Sequence, residues 1–205
     1  MGKTVALSAM LTIAFVTGTE PGKWFRRYGQ LTGSEPRTIP SDDPFPLIGS
    51  EADAALIRLP NERVTDEFHV VRCYEEAAGV AVPKDSVYAE VGEVNRTDLA
   101  DEIVNFTYAE HSLIDDLRTA LSVVAANVGI AYGPLPLLKA LSKKQVVPLE
   151  LPAGEDSEAT TIALVWRKAD DCDAIQDFVG ITKGRTPRSS RGKSHPRSGG
   201  KKARR

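Results

Sequence analysis

The stretch LTIAFVTGTEPG at residues 11–22 decides the fold. Its first half, LTIAFV, is an almost continuous apolar run, which is typical of a β-strand buried on both faces. Its second half breaks the strand and can begin a helix, with Thr19 as the cap and Pro21 in the first turn. That helix would turn three aromatic side chains inward: Trp24, Phe25 and Tyr28. A buried strand followed by a helix indicates an α/β fold.

Similar segments alternate along the rest of the chain. Strands are predicted over residues 52–59, 103–106, 130–134, 146–149 and 160–166, with one or two more within 68–83. Helical segments are predicted over 97–101, 112–129 and 135–141, and after Asp170 or Asp171. Residues 33–46 contain four prolines and are predicted to be a loop. This order predicts parallel sheets, in which a ligand lies beyond the carboxyl ends of the strands.

The clearest predicted helix begins at Ser112. Ser112 and Asp115 have the spacing of a capping box, and Gly129 would end the helix as a C-terminal glycine. Apolar residues recur at steps of three and four on one face: Leu113, Leu117, Leu121, Val124 and Val128. This spacing predicts an amphipathic helix packed on a core.

The composition excludes several classes of protein. The 205 residues are 41% hydrophobic and 26% charged, which is enough for one large domain or two small lobes. No apolar run reaches about 18 uncharged residues, so no transmembrane helix is predicted. The only two cysteines, Cys73 and Cys172, lie 99 positions apart without metal-ligand spacing. The sequence thus indicates neither a disulfide scaffold nor a zinc site, and it fits a reducing, cytoplasmic compartment.

Residues 1–10 are predicted to be an N-terminal extension. Lys3 and the apolar residues after it resemble a weak signal peptide, which would imply secretion. Against secretion, Ser8 and Thr12 interrupt the apolar run and no A-x-A cleavage site follows. A cytoplasmic location is therefore predicted.

The C-terminal residues 185–205 form a basic tail on an acidic body. They contain nine basic residues and no acidic one, while residues 1–184 hold 17 basic and 28 acidic residues, a net charge of −11. This composition predicts a disordered arm. Three interpretations stay open: an inert end, a weak contact with the acidic body, or nonspecific binding to nucleic-acid phosphates through Arg191, Lys193, Arg197, Lys201, Lys202, Arg204 and Arg205. Titrating labelled duplex with the full chain and with a chain truncated after Gly184 would separate them.

The order of motifs resembles the effector-binding domain of LysR-type transcriptional regulators, in the stand-alone actinobacterial form without a winged helix-turn-helix. The segments that carry the resemblance are TIAFVTGTEPGKWFRR, ADAALIRLP, YEEAAGVAVPKDSVYA, LADEIVNF, VVAANVGIAYGPLPLLKAL and TIALVWRKADDCDAIQDFVGITKGRT. The resemblance implies a type 2 periplasmic-binding-protein-like fold, in which two Rossmann-like lobes are joined by two crossover strands around a ligand cleft. Lobe I would comprise residues 11–74 and 160–184, and lobe II residues 75–158.

Five residues are predicted to bind the ligand, because they follow strand ends. Thr17, Gly18 and Thr19 offer hydroxyl and backbone N–H groups that attract anions, although an ordinary strand-to-helix turn would look the same. Arg58 is a cation in an apolar run, which indicates either a ligand contact or a structural ion pair. Ser112 is predicted to cap its helix and could also face the cleft. We expect Thr17, Thr19, Arg58 and Ser112 to line one cavity.

The function predicted from these features is a non-enzymatic binding module for a small anionic metabolite, with no cofactor and no metal. The sequence contains no G-x-S-x-G, H-E-x-x-H or G-x-G-x-x-G motif, and His111 lacks a second ligand at metal spacing. The resemblance implies effector sensing in transcription regulation and a side-by-side homodimer. Two alternatives share the fold: a solute-binding protein of a transport system, and an enzyme.

Overall fold

The computed structural model describes residues 10–152 and 160–184. The predicted N-terminal extension, apart from Met10, and the predicted basic tail lie outside these residues. No helix in the two described ranges is long and apolar enough to cross a membrane.

The described residues form two β-sheets. The first sheet has the strand order β2-β1-β3-β9-β4. Its strands are β1 (Thr12–Val16), β2 (Arg37–Ser41), β3 (Ala54–Leu59), β4 (Phe68–Glu75) and β9 (Thr161–Arg167). The second sheet has the order β6-β7-β5-β8. Its strands are β5 (Ala78–Pro83), β6 (Val104–Thr107), β7 (Ile130–Pro134) and β8 (Val146–Glu150).

Each sheet and the helices packed on it form a lobe. The first lobe includes α1 (Gly22–Thr32) and α5 (Asp173–Thr182), and the second includes α2 (Val87–Val91), α3 (Ile114–Ala125) and α4 (Leu135–Leu141). The chain passes from the first sheet to the second between β4 and β5, and it returns between β8 and β9. This is the mixed α/β, type 2 periplasmic-binding-protein-like architecture that the resemblance implies. We propose that the lobe boundaries lie at these two crossings.

The core of the first lobe explains why β1 and β3 are apolar on both faces. On one face, Phe178 of α5 packs against Phe25 and Tyr28 of α1, with ring centroids 5.9 Å apart in both pairs. Ile57 of β3 contributes to a separate apolar cluster with Ile48. Every residue of β3 is buried, including the charged Arg58, so the strand has no solvent-facing side.

The prediction of parallel sheets is wrong for most strand pairs. Of the strand pairs in residues 10–152 and 160–184, three are parallel: β1–β2, β1–β3 and β6–β7. Strands β4, β5, β8 and β9 adjoin the two crossings between sheets, and they pair antiparallel with their neighbours. Two neighbouring parallel strands of one sheet need a crossover connection, which is usually a helix packed on that sheet. A strand that enters the sheet from the other lobe has no such connection, so it can run antiparallel to its neighbours.

The predicted loop over residues 33–46 is also wrong, since it contains β2. This strand pairs only with β1, so it lies at the edge of the sheet, where Pro40 costs no ladder hydrogen bond to a second neighbour. Proline-rich composition was therefore a misleading signal here.

The predicted helix caps differ from those observed. Pro21 precedes α1, and the Thr19 hydroxyl donates instead to the backbone oxygen of Val16. Helix α3 begins at Ile114, two residues after Ser112, and the stripe residues at its two ends, Leu113 and Val128, are exposed. Helix α5 begins after Cys172 rather than at a capping aspartate.

Candidate functional site

A cavity of about 440 Å³ lies between the two lobes. Three loops form it: one after β2 with Asp42 and Asp43, one after β3 with Asn61 to Arg63, and one after β6 with Tyr108 to Asp115. The loops all follow the carboxyl ends of strands, which is the expected place for a ligand in an α/β protein. Because the loops come from both lobes, a molecule bound here would contact both.

A buried ion pair lies behind the inner wall of the cavity, because Arg58 lines the cavity and its partner Glu76 does not. Arg58 at the end of β3 donates from Nε to Glu76 Oε2 at 2.7 Å and from Nη2 to Glu76 Oε1 at 3.0 Å. Thr160 donates its hydroxyl to Glu76 Oε2 at 2.7 Å. The side chains of Arg58 and Glu76 are 4% and 0% exposed, so both charges are removed from water and depend on each other.

One nitrogen of this arginine is not satisfied. Nη1 of Arg58 is buried and has no hydrogen-bond partner among the described residues. A buried donor without an acceptor is costly, and such groups usually mark a bound water or ligand. Tyr108 lies beside the guanidinium: burial raises the pKa of its phenol, and Arg58 partly opposes that rise. The inner wall thus offers N–H and O–H donors to an oxygen of a bound molecule.

Gly18 allows the two lobes to approach each other behind this arginine. A Cβ at Gly18 would lie 2.8 Å from Nη2 of Arg58 and 2.8 Å from Cα of Leu137 in α4. The φ angle of Gly18 is +91°, which disfavours any residue with a side chain. Glycine is required here for both space and backbone conformation.

Two exposed ion pairs border the cavity. Arg118 of α3 donates to both oxygens of Asp42, at 2.6 and 3.0 Å, and so links the second lobe to the first. Arg63 donates to both oxygens of Asp43 and lies 4.7 Å from the centroid of the Phe45 ring. These contacts connect the loop after β2 to α3 and to the loop after β3.

The predicted ligand-binding residues occupy different places. Arg58 and Ser112 line the cavity, and the Thr17 hydroxyl donates to Asp42, which also lines it. Gly18 packs behind Arg58, while Thr19 lines a separate surface depression with Tyr74 and Lys139. Of the four residues expected in one cavity, Arg58 and Ser112 line it, Thr17 contacts it only through Asp42, and Thr19 lines the other depression. The ligand-binding role of all five remains a prediction.

The sequence-based prediction omits two residues beside Arg58, namely Glu76 behind the inner wall and Tyr108 in it. Glu76 is the counter-ion of Arg58, and a buried cation in an apolar strand is a signal that a partner carboxylate exists somewhere in the chain. Tyr108 follows β6 directly, as Arg58 ends β3, so its position after a strand could have identified it.

The described residues do not contain the groups of a metal or thiol site. No cluster of three or more His, Cys, Asp or Glu side chains that could hold a metal occurs in the two described ranges. Burial raises the pKa of the Cys73 thiol, which disfavours the reactive thiolate at neutral pH.

Replacing Asp42 with Asn should lower the free energy of unfolding by less than about 1 kcal/mol at pH 7, since the pair with Arg118 is partly exposed. Hydrogen bonding from Arg118 lowers the pKa of Asp42 below its ordinary value of 3.8. The stabilisation is therefore present above pH 3.8 and is lost as the pH falls through the lower pKa of the folded state. Urea unfolding from pH 7 to pH 2 would measure it, with Asp66→Asn as the unpaired control. A difference between wild type and Asp42→Asn that stays constant over this range would contradict the prediction.

The fold has known relatives among solved structures, although no family model and no curated protein matches the chain. The BenM effector-binding domain with its effector benzoate is 17% identical, with a TM-score of 0.64 over 91% of this chain and 95% of that one. A variant of the OxyR regulatory domain from Pseudomonas aeruginosa is 16% identical, with a TM-score of 0.57 over 86% and 97%. A protein described as a LysR-family transcriptional regulator, also from Pseudomonas aeruginosa, is 14% identical, with a TM-score of 0.61 over 85% and 70%. The chain therefore has the fold of the effector-binding domains of LysR-type transcriptional regulators.

Proposed function

We propose that this protein is a regulatory domain that senses a small molecule in the cavity between its lobes. The observation that carries the proposal is Arg58, which is a lining residue of the cavity, is almost wholly buried, and has a buried Nη1 without a hydrogen-bond partner among the described residues. An oxygen of the ligand would accept a hydrogen bond from this nitrogen. The fold shared with regulator domains supports a sensing role rather than a catalytic one.

The ligand would contact both lobes at once. Arg58 belongs to the first lobe, while the Tyr108 and Ser112 hydroxyls come from the loop after β6 in the second. Ser112 Oγ accepts from the backbone N–H of Ala109, so its own proton is available to a ligand. A molecule that bridges the lobes stabilises one relative arrangement of them, and this is how binding would be converted into a regulatory signal. The proposed ligand carries an anionic group, which would lie at Arg58.

The test is a thermal-shift screen of the full chain against a metabolite panel, followed by titration of the hit. Tyr108→Phe removes one hydroxyl without changing the volume and should weaken binding of the hit by about tenfold. Tyr88→Phe is the matched control, because the Tyr88 hydroxyl bonds Glu102 away from the cavity. Equal affinity of the Tyr108→Phe variant and the control would place the ligand elsewhere.

We also propose that the domain forms a homodimer in the cytoplasm. The exposed apolar side chains of the second lobe support this, because several gather where the edge strand β6 meets the end of α3: Ile103, Val104, Val123 and Val128. Exposed apolar groups on a sheet edge favour association with another chain. Light scattering at tens of micromolar tests the proposal, and a monomer mass would refute it.

A further inference from the structure

The charges around the cavity are unbalanced. The charged lining residues and their ion-pair partners comprise three arginines and six carboxylates, a net charge of −3 with His111 neutral. All three arginines are already paired, with Glu76, Asp43 and Asp42. Glu62 and Glu110 at the opening form no ion pair with a lysine or arginine in the described part of the chain.

The inner wall can donate hydrogen bonds but has no surplus positive charge. Glu76 neutralises Arg58, and both lie out of water. A ligand carboxylate at Nη1 would therefore place a second carboxylate on one guanidinium, in a region where solvent screens charges poorly. A ligand with two carboxylates would also be repelled by Glu62 and Glu110. A ligand that carries its own cation would have no net charge, which partly offsets the first penalty, and its cation would be attracted by Glu62 and Glu110.

We infer that the ligand is a zwitterion of the amino-acid class, with a carboxylate oxygen at Nη1 of Arg58 and an ammonium group facing Glu62 and Glu110. This inference rests on the proposed function and specifies the chemistry of its ligand. The buried, unpartnered nitrogen anchors the inner end of the molecule. The two carboxylates at the opening, which have no lysine or arginine partner among the described residues, select the charge of the outer end, although Glu62 also lies 3.9 Å from Nδ1 of His111. A cavity of about 440 Å³ lies within the usual range for small-molecule sites.

The experiment compares three matched sets of compounds by thermal shift and calorimetry on the full chain. The sets are the free protein amino acids, their N-acetyl derivatives, and the corresponding amines, with succinate and glutarate as dianions. At least one free amino acid should raise the melting temperature, and its N-acetyl derivative and amine should bind at least tenfold more weakly. If an N-acetyl compound, an amine or a dianion binds as tightly as the best free amino acid, or if the broader metabolite panel yields only a hit of another class, the inference fails while the proposed function stands. If no compound in the sets or the panel binds, both fail.

A charge-neutral variant tests the outer end separately. Glu62→Gln combined with Glu110→Gln removes both carboxylates and should weaken the amino-acid hit by about threefold per charge at low ionic strength. The affinity for its N-acetyl derivative should stay the same or increase. Glu90→Gln, an exposed residue of α2 that does not line the cavity, is the matched control. An unchanged affinity of the double variant for the amino acid would overturn the inference.

Discussion

Replacing Arg58 with Met is expected to lower the free energy of unfolding by about 3–5 kcal/mol, because it leaves Glu76 charged, buried and held only by Thr160. The unpaired carboxylate would have to be protonated or be exposed to water, and either change destabilises the native state at pH 7. Urea unfolding at 25 °C, followed by circular dichroism, measures the loss.

Two further variants distinguish two contributions to this loss of stability: the cost of burying a charge without a partner, and the cost of losing an ion pair. Arg58→Met combined with Glu76→Met replaces both charges with apolar groups and should recover at least half of the loss. Arg63→Met breaks the exposed pair with Asp43 and should cost less than about 1 kcal/mol. If Arg58→Met lowers the free energy of unfolding no more than Arg63→Met does, the buried pair does not stabilise the native state as we expect.

Replacing Gly18 with Ala is expected to lower the free energy of unfolding by about 3 kcal/mol. One part of the loss is strain at a φ of +91°, and the other is the contact of the new Cβ with Leu137 Cα and Arg58 Nη2, both at 2.8 Å. Because Leu137 meets the new atom with its backbone, the lobes would have to move apart.

Gly33→Ala provides a matched control for the strain alone. Gly33 has a φ of +88°, and a Cβ there would meet nothing within 4 Å. This variant should therefore lose only about 1 kcal/mol. Equal losses for the two variants in the same urea experiment would mean that the approach of the lobes at Gly18 contributes nothing.

Local patterns in the sequence predict the elements better than their arrangement. The buried strands β1 and β3 are predicted almost to the residue, since a strand buried on both faces must be apolar throughout. The direction of β9 cannot be predicted in this way, because its apolar pattern is the same whether it runs parallel or antiparallel to β3. The edge strand β2 lacks an apolar pattern, since it is mostly exposed, and Pro40 within it together with the prolines around it resembles the composition of a loop.

The site shows the same division between local and long-range information. Arg58 is identifiable because a cation in an apolar strand is unusual, whereas its partner lies 18 positions further along the chain, on the far side of β4. Thr19 was predicted at the cavity because it follows a strand, but its hydroxyl turns back to Val16, so the side chain satisfies its own loop. Position after a strand predicts the region of a site but not the direction of a side chain, which a distant partner fixes for Arg58 and a residue three positions earlier fixes for Thr19.

The buried pair of Arg58 and Glu76 also lies where the two lobes are connected. Glu76 lies in the first crossing between the lobes, Thr160 directly precedes β9 after the second, and the backbone N–H of Glu76 donates to the oxygen of Thr160 at 2.8 Å. Through Glu76, the arginine that would hold the ligand is therefore linked to both connections between the lobes. A substitution at Arg58 would change this link together with the proposed ligand contact. Tyr108 and Ser112 make none of these contacts, so they are the positions at which recognition can be altered separately.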